Sequence, residues 1–212
     1  INCEKRGGLV SHRRLSNGDD KPYELNISWW SAMEDSSRDS KRFQYERFIL
    51  TQLLVMALKG VPAFYLPALL ASENDIKSFS MTGQRRDLNR EKFKLDNLLS
   101  VLNNPESNAN KNIKYLRTAM DVRSKLEQFH PCSEMECLSK GRSDIVVIKR
   151  GNGPKSVFAI HNMTENKINY QLNDHDLPEI IDNDFNMKDF LASTKYNWKN
   201  ISLDPFQVIW LG

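Results

Sequence analysis

Apolar positions along this chain change their spacing near residue 140. Before that point they recur at helical intervals; after it they come in short runs separated by turn residues. Over about 40–59, Phe43, Phe48, Leu50, Leu54 and Leu58 fall on helical spacing, with Asp39 or Ser40 as cap and Gly60 as stop. A second helix is predicted over about 110–129, where Ala119, Val122, Leu126 and Phe129 step by 3, 4 and 3 before His130-Pro131. Shorter helical pieces are expected near 91–102. Between the two helices, Val61-Pro62-Ala63-Phe64-Tyr65-Leu66 is almost unbroken in its apolar character. A strand apolar on both faces suits a buried parallel sheet. Residues 6–27 read as loop, with Gly7-Gly8, Asn17-Gly18-Asp19-Asp20 and Pro22 as turn chemistry, and 72–90 as polar and irregular.

Past residue 140, the segments 143–150, 155–161 and 167–172 read as strands, separated by Gly-Asn-Gly-Pro and Asn-Met-Thr-Glu-Asn turns. Two more are expected at 191–196 and 206–211. That spacing describes a small antiparallel sheet. The fold class is therefore α/β followed by all-β, with the boundary near 131–142. One apolar strand between two amphipathic helices is a single unit of an α/β architecture. Left without neighbours it would expose backbone groups on both edges. It would also expose large side chains, each worth about 1.5–3 kcal/mol when buried, against a total stability of about 5–15 kcal/mol. Neighbouring strands are thus expected on a larger protein. The start at Ile1, running straight into Cys-Glu-Lys-Arg-Gly-Gly, reads as an internal cut.

Composition narrows the function classes. With 40% hydrophobic and 27% charged residues, global disorder is excluded. The net charge is +3, and the basic pairs Lys5-Arg6, Arg13-Arg14 and Arg85-Arg86 lie far apart, so no nucleic-acid stripe is formed. The longest apolar stretch, 48–58, is interrupted by Thr51 and Gln52 and is too short for a bilayer. Three cysteines cannot all pair within the chain, which favours a reducing compartment, and a cytoplasmic location is expected despite sequons at Asn26, Asn162 and Asn200. His130, Cys132 and Cys137 have tolerable zinc spacing but no evident fourth ligand, so neither metal nor cofactor is expected. Trp29-Trp30 could stack on a sugar; aromatics just ahead of an amphipathic helix read better as core.

Gly60-Val61-Pro62-Ala63-Phe64-Tyr65, then Leu69-Leu70-Ala71-Ser72-Glu73-Asn74-Asp75 and Gly83-Gln84-Arg85-Arg86-Asp87-Leu88-Asn89-Arg90, resemble the sucrose phosphorylase subfamily of the α-amylase superfamily. Gly7-Gly8-Leu9-Val10-Ser11 with Tyr23-Glu24-Leu25-Asn26-Ile27 looks like the loop after the seventh barrel strand. Phe129-His130-Pro131 looks like the end of the eighth helix, and Leu203-Asp204-Pro205-Phe206-Gln207-Val208-Ile209-Trp210-Leu211 like the closing strand of the C-terminal β domain. The resemblance runs from about residue 6 to 212. It implies a TIM (β/α)8 barrel with its active site at the C-terminal ends of the strands. Residues 1–135 would be the last part of that barrel (loop after strand 7, helix 7, strand 8, helix 8), and 140–212 an antiparallel β domain.

The family's retaining chemistry uses two carboxyl groups roughly 5–5.5 Å apart, one attacking the anomeric carbon and one donating a proton. By the family pattern both, and a stabilising Asp, lie upstream of Ile1. Glu24, Glu73 and Asp75 match no catalytic position, so the chain alone is expected to be inactive. Arg86 matches an arginine that hydrogen-bonds the bound glucosyl unit, a role that suits its planar fork; the competing role is a pair with Asp87 or Asp75 that holds the loop. Tyr23 and Glu24 match a Tyr-Gln pair facing acceptor and phosphate in turn. Glu in place of Gln accepts from polyol hydroxyls but repels phosphate unless basic residues are near. That departure makes the chain resemble the glucosylglycerate phosphorylase branch more than a sucrose enzyme.

The implied activity is transfer of a glucosyl group from an α-glucoside to inorganic phosphate, giving α-glucose 1-phosphate. The implied partners are those two substrates and the remaining N-terminal barrel portion. Two alternatives stand beside it: an α-glucosidase or transglucosidase of the same superfamily, and a free-standing non-catalytic carbohydrate-binding or interaction module built mainly on 140–212.

Overall fold

The computed structural model describes residues 2–35, 41–173, 177 and 185–212. A short helix α1 (Asn2–Lys5) leads into strands β1 (Leu9–Arg14) and β2 (Asp20–Asn26). Helices α2 (Trp29–Ala32), α3 (Gln44–Ala57), α4 (Leu66–Leu69) and α5 (Ile76–Thr82) follow. A 3-10 turn at Arg85–Asn89 precedes α6 (Leu95–Asn103) and α7 (Asn108–Lys125). The remainder is strands: β3 (Met135–Cys137), β4 (Ile145–Arg150), β5 (Val157–Asn162), β6 (Ile168–Tyr170), β7 (Asn186–Lys188), β8 (Lys195–Asn197), β9 (Ile201–Leu203) and β10 (Val208–Leu211). Among the described residues no helix is long and apolar enough to cross a membrane.

Two compact units divide the chain. One holds Ile1–Phe48 and Phe64–Tyr115; the other holds Ile49–Ala63 and Leu116–Gly212. The division into 1–135 and 140–212 follows chain connectivity, whereas compactness groups the second half of α3 and the end of α7 with the β strands.

Both long helices are present over shorter spans than the expected 40–59 and 110–129, leaving Leu58 past α3 and Phe129 in a 3-10 turn after α7. In α3, Phe48, Leu50, Leu53 and Met56 are buried; its expected caps Asp39 and Ser40 lie outside the described residues. In α7, Ala109, Asn112, Leu116 and Ala119 form a buried stripe on helical spacing. Its polar member Asn112 donates through Nδ2 to Leu69 O at 2.7 Å and Ala68 O at 3.3 Å, at the end of α4.

Two expectations are corrected: the loop at 6–27, and the irregular stretch at 72–90, which holds α5 and the 3-10 turn. Residues 9–26 are an antiparallel hairpin rather than loop. Its strands are polar (His12, Arg13, Arg14, Asp20, Lys21), so no apolar alternation announces them; the Asn17-Gly18 turn was the visible part. Residues 61–66, read as a strand whose neighbours were expected on a larger protein, join no ladder among the described residues, and Leu66 opens α4. Val61 is 80% exposed and Tyr65 54%, although Tyr65 keeps extended angles (φ −79°, ψ 138°).

In the β-rich unit the main sheet has the order β10-β5-β4-β3, all antiparallel, and two further pairs, β6-β9 and β7-β8, accompany it. The expected strands at 143–150, 155–161, 167–172 and 206–211 are present in shortened form, while 191–194 is a turn ahead of β8. Central β5 is buried throughout. Phe158 and Ile160 join Ile209, Leu211, Trp198 and Ile201 in one core cluster. The alternate residues of β5 face the other way, as period-two geometry requires.

On that second face Phe129 packs on Trp210 (ring centroids 4.7 Å apart). Two arginines complete it. Arg123 donates to Met56 O and Gly60 O, and Arg150 to Ala57 O and Leu58 O, so the last two carbonyls of α3, which have no helical donors, and two just past its end accept from cations. Burial pushes both arginine pKa values down from the usual one.

His161, fully buried on β5, has its pKa pushed down to about 4 by loss of solvent. The unfolded imidazole titrates near 6.5. Between those values the unfolded chain binds more protons, so stability falls as pH drops from about 6.5 to about 4 and falls no further from this group below that. The expected loss is on the order of 3 kcal/mol. Urea denaturation at pH 7, 5.5 and 4 measures it; His161→Gln should flatten that window, and an unchanged slope in the variant would assign the effect elsewhere.

Candidate functional site

The residues singled out for chemistry lie on the β1–β2 hairpin and on the segment from Asn74 to Asn89, all within the first compact unit. Glycine opens the hairpin. A Cβ on Gly8 would sit 2.5 Å from Cys3 Sγ and 2.8 Å from Ile27 Cβ, so only glycine lets the chain pass between α1 and the end of β2. Across the ladder Ser11 faces Glu24 while His12 faces Pro22, which leaves Tyr23 opposite no residue. This bulge re-aims the side chain at the extra position. Tyr23 is 65% exposed.

The arginine segment is held from both ends. Asp75 caps α5 by accepting from Ser78 N at 2.9 Å and Ser78 Oγ at 2.5 Å, while its own N–H donates to Leu88 O at 2.7 Å. At the far end of α5, Gly83 takes a left-handed φ of 66°, the usual device for stopping a helix and turning the chain. Leu88 is buried and fixes the 3-10 turn that carries Arg85 and Arg86. Asp75 is thus used in capping, and the structure pairs Arg86 with a different carboxylate.

That carboxylate is Glu24. Arg86 Nε donates to Glu24 Oε1 at 3.2 Å and to Oε2 at 3.4 Å. The two candidates, 62 residues apart in sequence, therefore meet, whereas Tyr23 makes no hydrogen bond to either among the described residues. Glu24 is about one-third exposed and is an ion-pair partner, neither a solvent-facing loop residue nor an isolated negative charge. The negative charge of Glu24 is offset by the guanidinium beside it. Arg86 remains 57% exposed, and its two terminal nitrogens hold no partner among the described residues. A planar fork of that kind can donate to two adjacent oxygens at once.

Sequence reasoning passed over two contributors. Arg85 Nη1 donates to Val10 O at 2.9 Å and Ser11 Oγ at 3.3 Å. Asn74 ties three segments together: Oδ1 accepts from Ser28 N at 2.8 Å, Nδ2 donates to Arg6 O at 3.2 Å, and its N–H donates to Ser31 Oγ at 3.1 Å. Both lie in quoted motifs, but nothing in their local pattern announces partners so distant in sequence. Asn74→Ala removes two of these bonds and strands a partly buried amide and carbonyl. It should cost about 1–3 kcal/mol, read as a lower midpoint in thermal or urea unfolding.

The remaining candidates make other contacts. Trp30 is buried against Phe48 (5.2 Å, edge-on) and Tyr45, which makes it core. His130 Nδ1 accepts from Cys132 N at 3.2 Å, and Cys132 and Cys137 are exposed. No group of three or more His, Cys, Asp or Glu suited to a metal occurs among the described residues.

No family model matches the chain. It is 31% identical over 145 residues to glucosylglycerate phosphorylase of Spirochaeta thermophila, covering 68% of this chain and 24% of that protein. It is 24% identical over 210 residues to the Escherichia coli glucosylglycerate phosphorylase, covering 98% of this chain and 35% of that one. Among solved structures, sucrose 6F-phosphate phosphorylase from Thermoanaerobacter thermosaccharolyticum superposes with a TM-score of 0.60 at 18% identity, over 76% of this chain and 30% of that one. The chain spans about a quarter to a third of the length of the curated relatives it matches.

Proposed function

We propose, from the premise that the chain is a C-terminal part of an α-amylase-superfamily glycoside phosphorylase, that it supplies the sugar-gripping wall of a retaining α-glucoside phosphorylase. In this reading an aspartate nucleophile elsewhere in the barrel forms a glucosyl-enzyme, which phosphate intercepts to give α-glucose 1-phosphate. The paired carboxylates that such chemistry requires are supplied by the rest of the enzyme, and this chain contributes no catalytic residue. Residues 1–135 form the closing part of the barrel and 140–212 the β domain that follows it in the chain.

The observation that carries the reading is the Glu24–Arg86 pair. Glu24 occupies Nε and leaves the terminal fork of an exposed arginine available. Arg86 then holds adjacent hydroxyls of the glucosyl ring, while Tyr23 and Glu24 bias the acceptor. Glucosylglycerate is favoured over sucrose, on the relatives' names and on Glu24 itself.

The test is steady-state phosphorolysis by the full-length polypeptide, with glucosylglycerate or sucrose and inorganic phosphate. Phosphate-dependent release of α-glucose 1-phosphate, faster from glucosylglycerate, is expected. Release of free glucose at a rate indifferent to phosphate would identify a hydrolase and overturn the proposal.

A further inference from the structure

We infer that Arg85 is a positioning residue for the sugar contact, acting with Arg86 as a two-point clamp on the β1–β2 hairpin. This rests on the reading of Arg86 given above and extends it to a residue that touches no substrate. The two arginines are consecutive on one 3-10 turn, where neighbouring side chains diverge by roughly 120°. Arg85 reaches β1, donating to Val10 O at 2.9 Å and Ser11 Oγ at 3.3 Å. Arg86 reaches β2, donating to Glu24 at 3.2 Å. Ser11 and Glu24 are directly opposite each other in the ladder. The two cations therefore grip the same rung of the hairpin from its two strands.

The position of that rung matters because regular pairing ends there. The register shifts between Ser11 and His12, and the bulged Tyr23 follows at once on the other strand. A bulge loosens the ladder and bends the strand, so the hairpin alone fixes poorly the direction in which Glu24 and Tyr23 point. Asn26 Nδ2 adds a donor to Ser11 Oγ at 3.0 Å, which holds the hydroxyl in place as the acceptor for Arg85. With Arg85 anchored to a main-chain carbonyl, the turn carrying Arg86 cannot slide along the hairpin. The terminal fork of Arg86 is thereby held at one height relative to Glu24. Misplacing a substrate-positioning group by about 1 Å costs up to about a hundredfold in rate, so a loosened clamp should be visible in kinetics even where folding is unaffected.

The experiment uses the full-length polypeptide and the variants Arg85→Met, Arg85→Lys, Glu24→Gln and Arg85→Met/Glu24→Gln, assayed for phosphorolysis below their melting temperatures. Arg85→Met is expected to lower kcat/KM roughly tenfold, and Arg85→Lys, which can still reach one acceptor, to lie between it and the unaltered enzyme. Because both residues act through the placement of Arg86, the double variant should lose much less than the product of the two single losses. A lower melting temperature with unchanged kcat/KM in Arg85→Met would overturn the inference, as would losses that simply multiply. Arg86→Met separates this inference from the reading beneath it. If that variant is impaired while Arg85→Met is silent, the clamp alone fails; if Arg86→Met is also silent, the sugar grip fails.

Discussion

Arg86→Met in the full-length enzyme is expected to lower kcat/KM for phosphorolysis about a hundredfold while leaving the melting temperature nearly unchanged. Two bonds from a charged donor to neighbouring sugar hydroxyls, each worth about 1.5 kcal/mol, account for that factor. The small effect on folding follows from exposure: the guanidinium is 57% and the Glu24 carboxylate 33% exposed, and exposed pairs contribute about 0–1 kcal/mol. Arg86→Lys should recover little, because one ammonium cannot face Glu24 and span two hydroxyls together. Steady-state kinetics paired with thermal unfolding reads both quantities. A loss of kcat/KM under about threefold is less than a single such bond predicts and would sink the sugar-gripping role.

Arg150→Met is expected to destabilise the β-rich unit by about 3–5 kcal/mol, since it leaves buried acceptors without their donor. Arg150 is wholly buried at the end of β4. Its guanidinium donates to Ala57 O at 2.9 Å, Leu58 O at 2.7 Å, His130 O at 2.9 Å and Glu134 O at 3.3 Å. It also lies 5.5 Å from the centre of the Phe129 ring, whose far neighbour is Trp210. No other side chain donates to so many separated carbonyls from one plane. Arg150→Lys should therefore be nearly as destabilising, although it keeps the charge. A loss of this size is a large part of the about 5–15 kcal/mol available to a typical domain. Urea unfolding measures it, and a change below about 1 kcal/mol, the net worth of one ordinary hydrogen bond, would show that water replaces the arginine without penalty.

Neither arginine's partners could be read from the chain. Arg86 sits in a motif whose resemblance suggested a sugar contact, and its competing partners were Asp75 and Asp87. The fold instead uses Asp75 to cap α5 and brings Glu24 to Arg86 across 62 positions. Arg150 looked like the polar end of a strand, and nothing local marks it as the cap of a helix that ends about 93 residues earlier.

Helical spacing, by contrast, was legible because burial of one face imposes a period on the sequence itself. Of the predicted stripes, Phe48, Leu50, Ala119 and Phe129 are buried, while Leu54, Val122 and Leu126 are half-buried and Leu58, past the end of α3, is exposed. The alternation and turns after residue 140 likewise identified the antiparallel strands around Ile145–Arg150 and Val157–Asn162. The hairpin at 9–26 escaped because its side chains are mostly polar and exposed, so no periodic burial was written into them. Residues 61–66 show the limit of an apolar run: it suggests a buried strand, but the strands that would pair with it belong to other segments, and none among the described residues does so.

By itself, then, the sequence determined the two long helices, the antiparallel β region and the likeness to barrel phosphorylases, since each leaves a local pattern of spacing or motif. Tertiary structure alone decided that Glu24 holds Arg86, that Arg85 grips the opposite strand, and that Arg123 and Arg150 close α3. Those are contacts between segments distant in sequence. Their geometry depends on how the intervening chain packs, which no local pattern encodes.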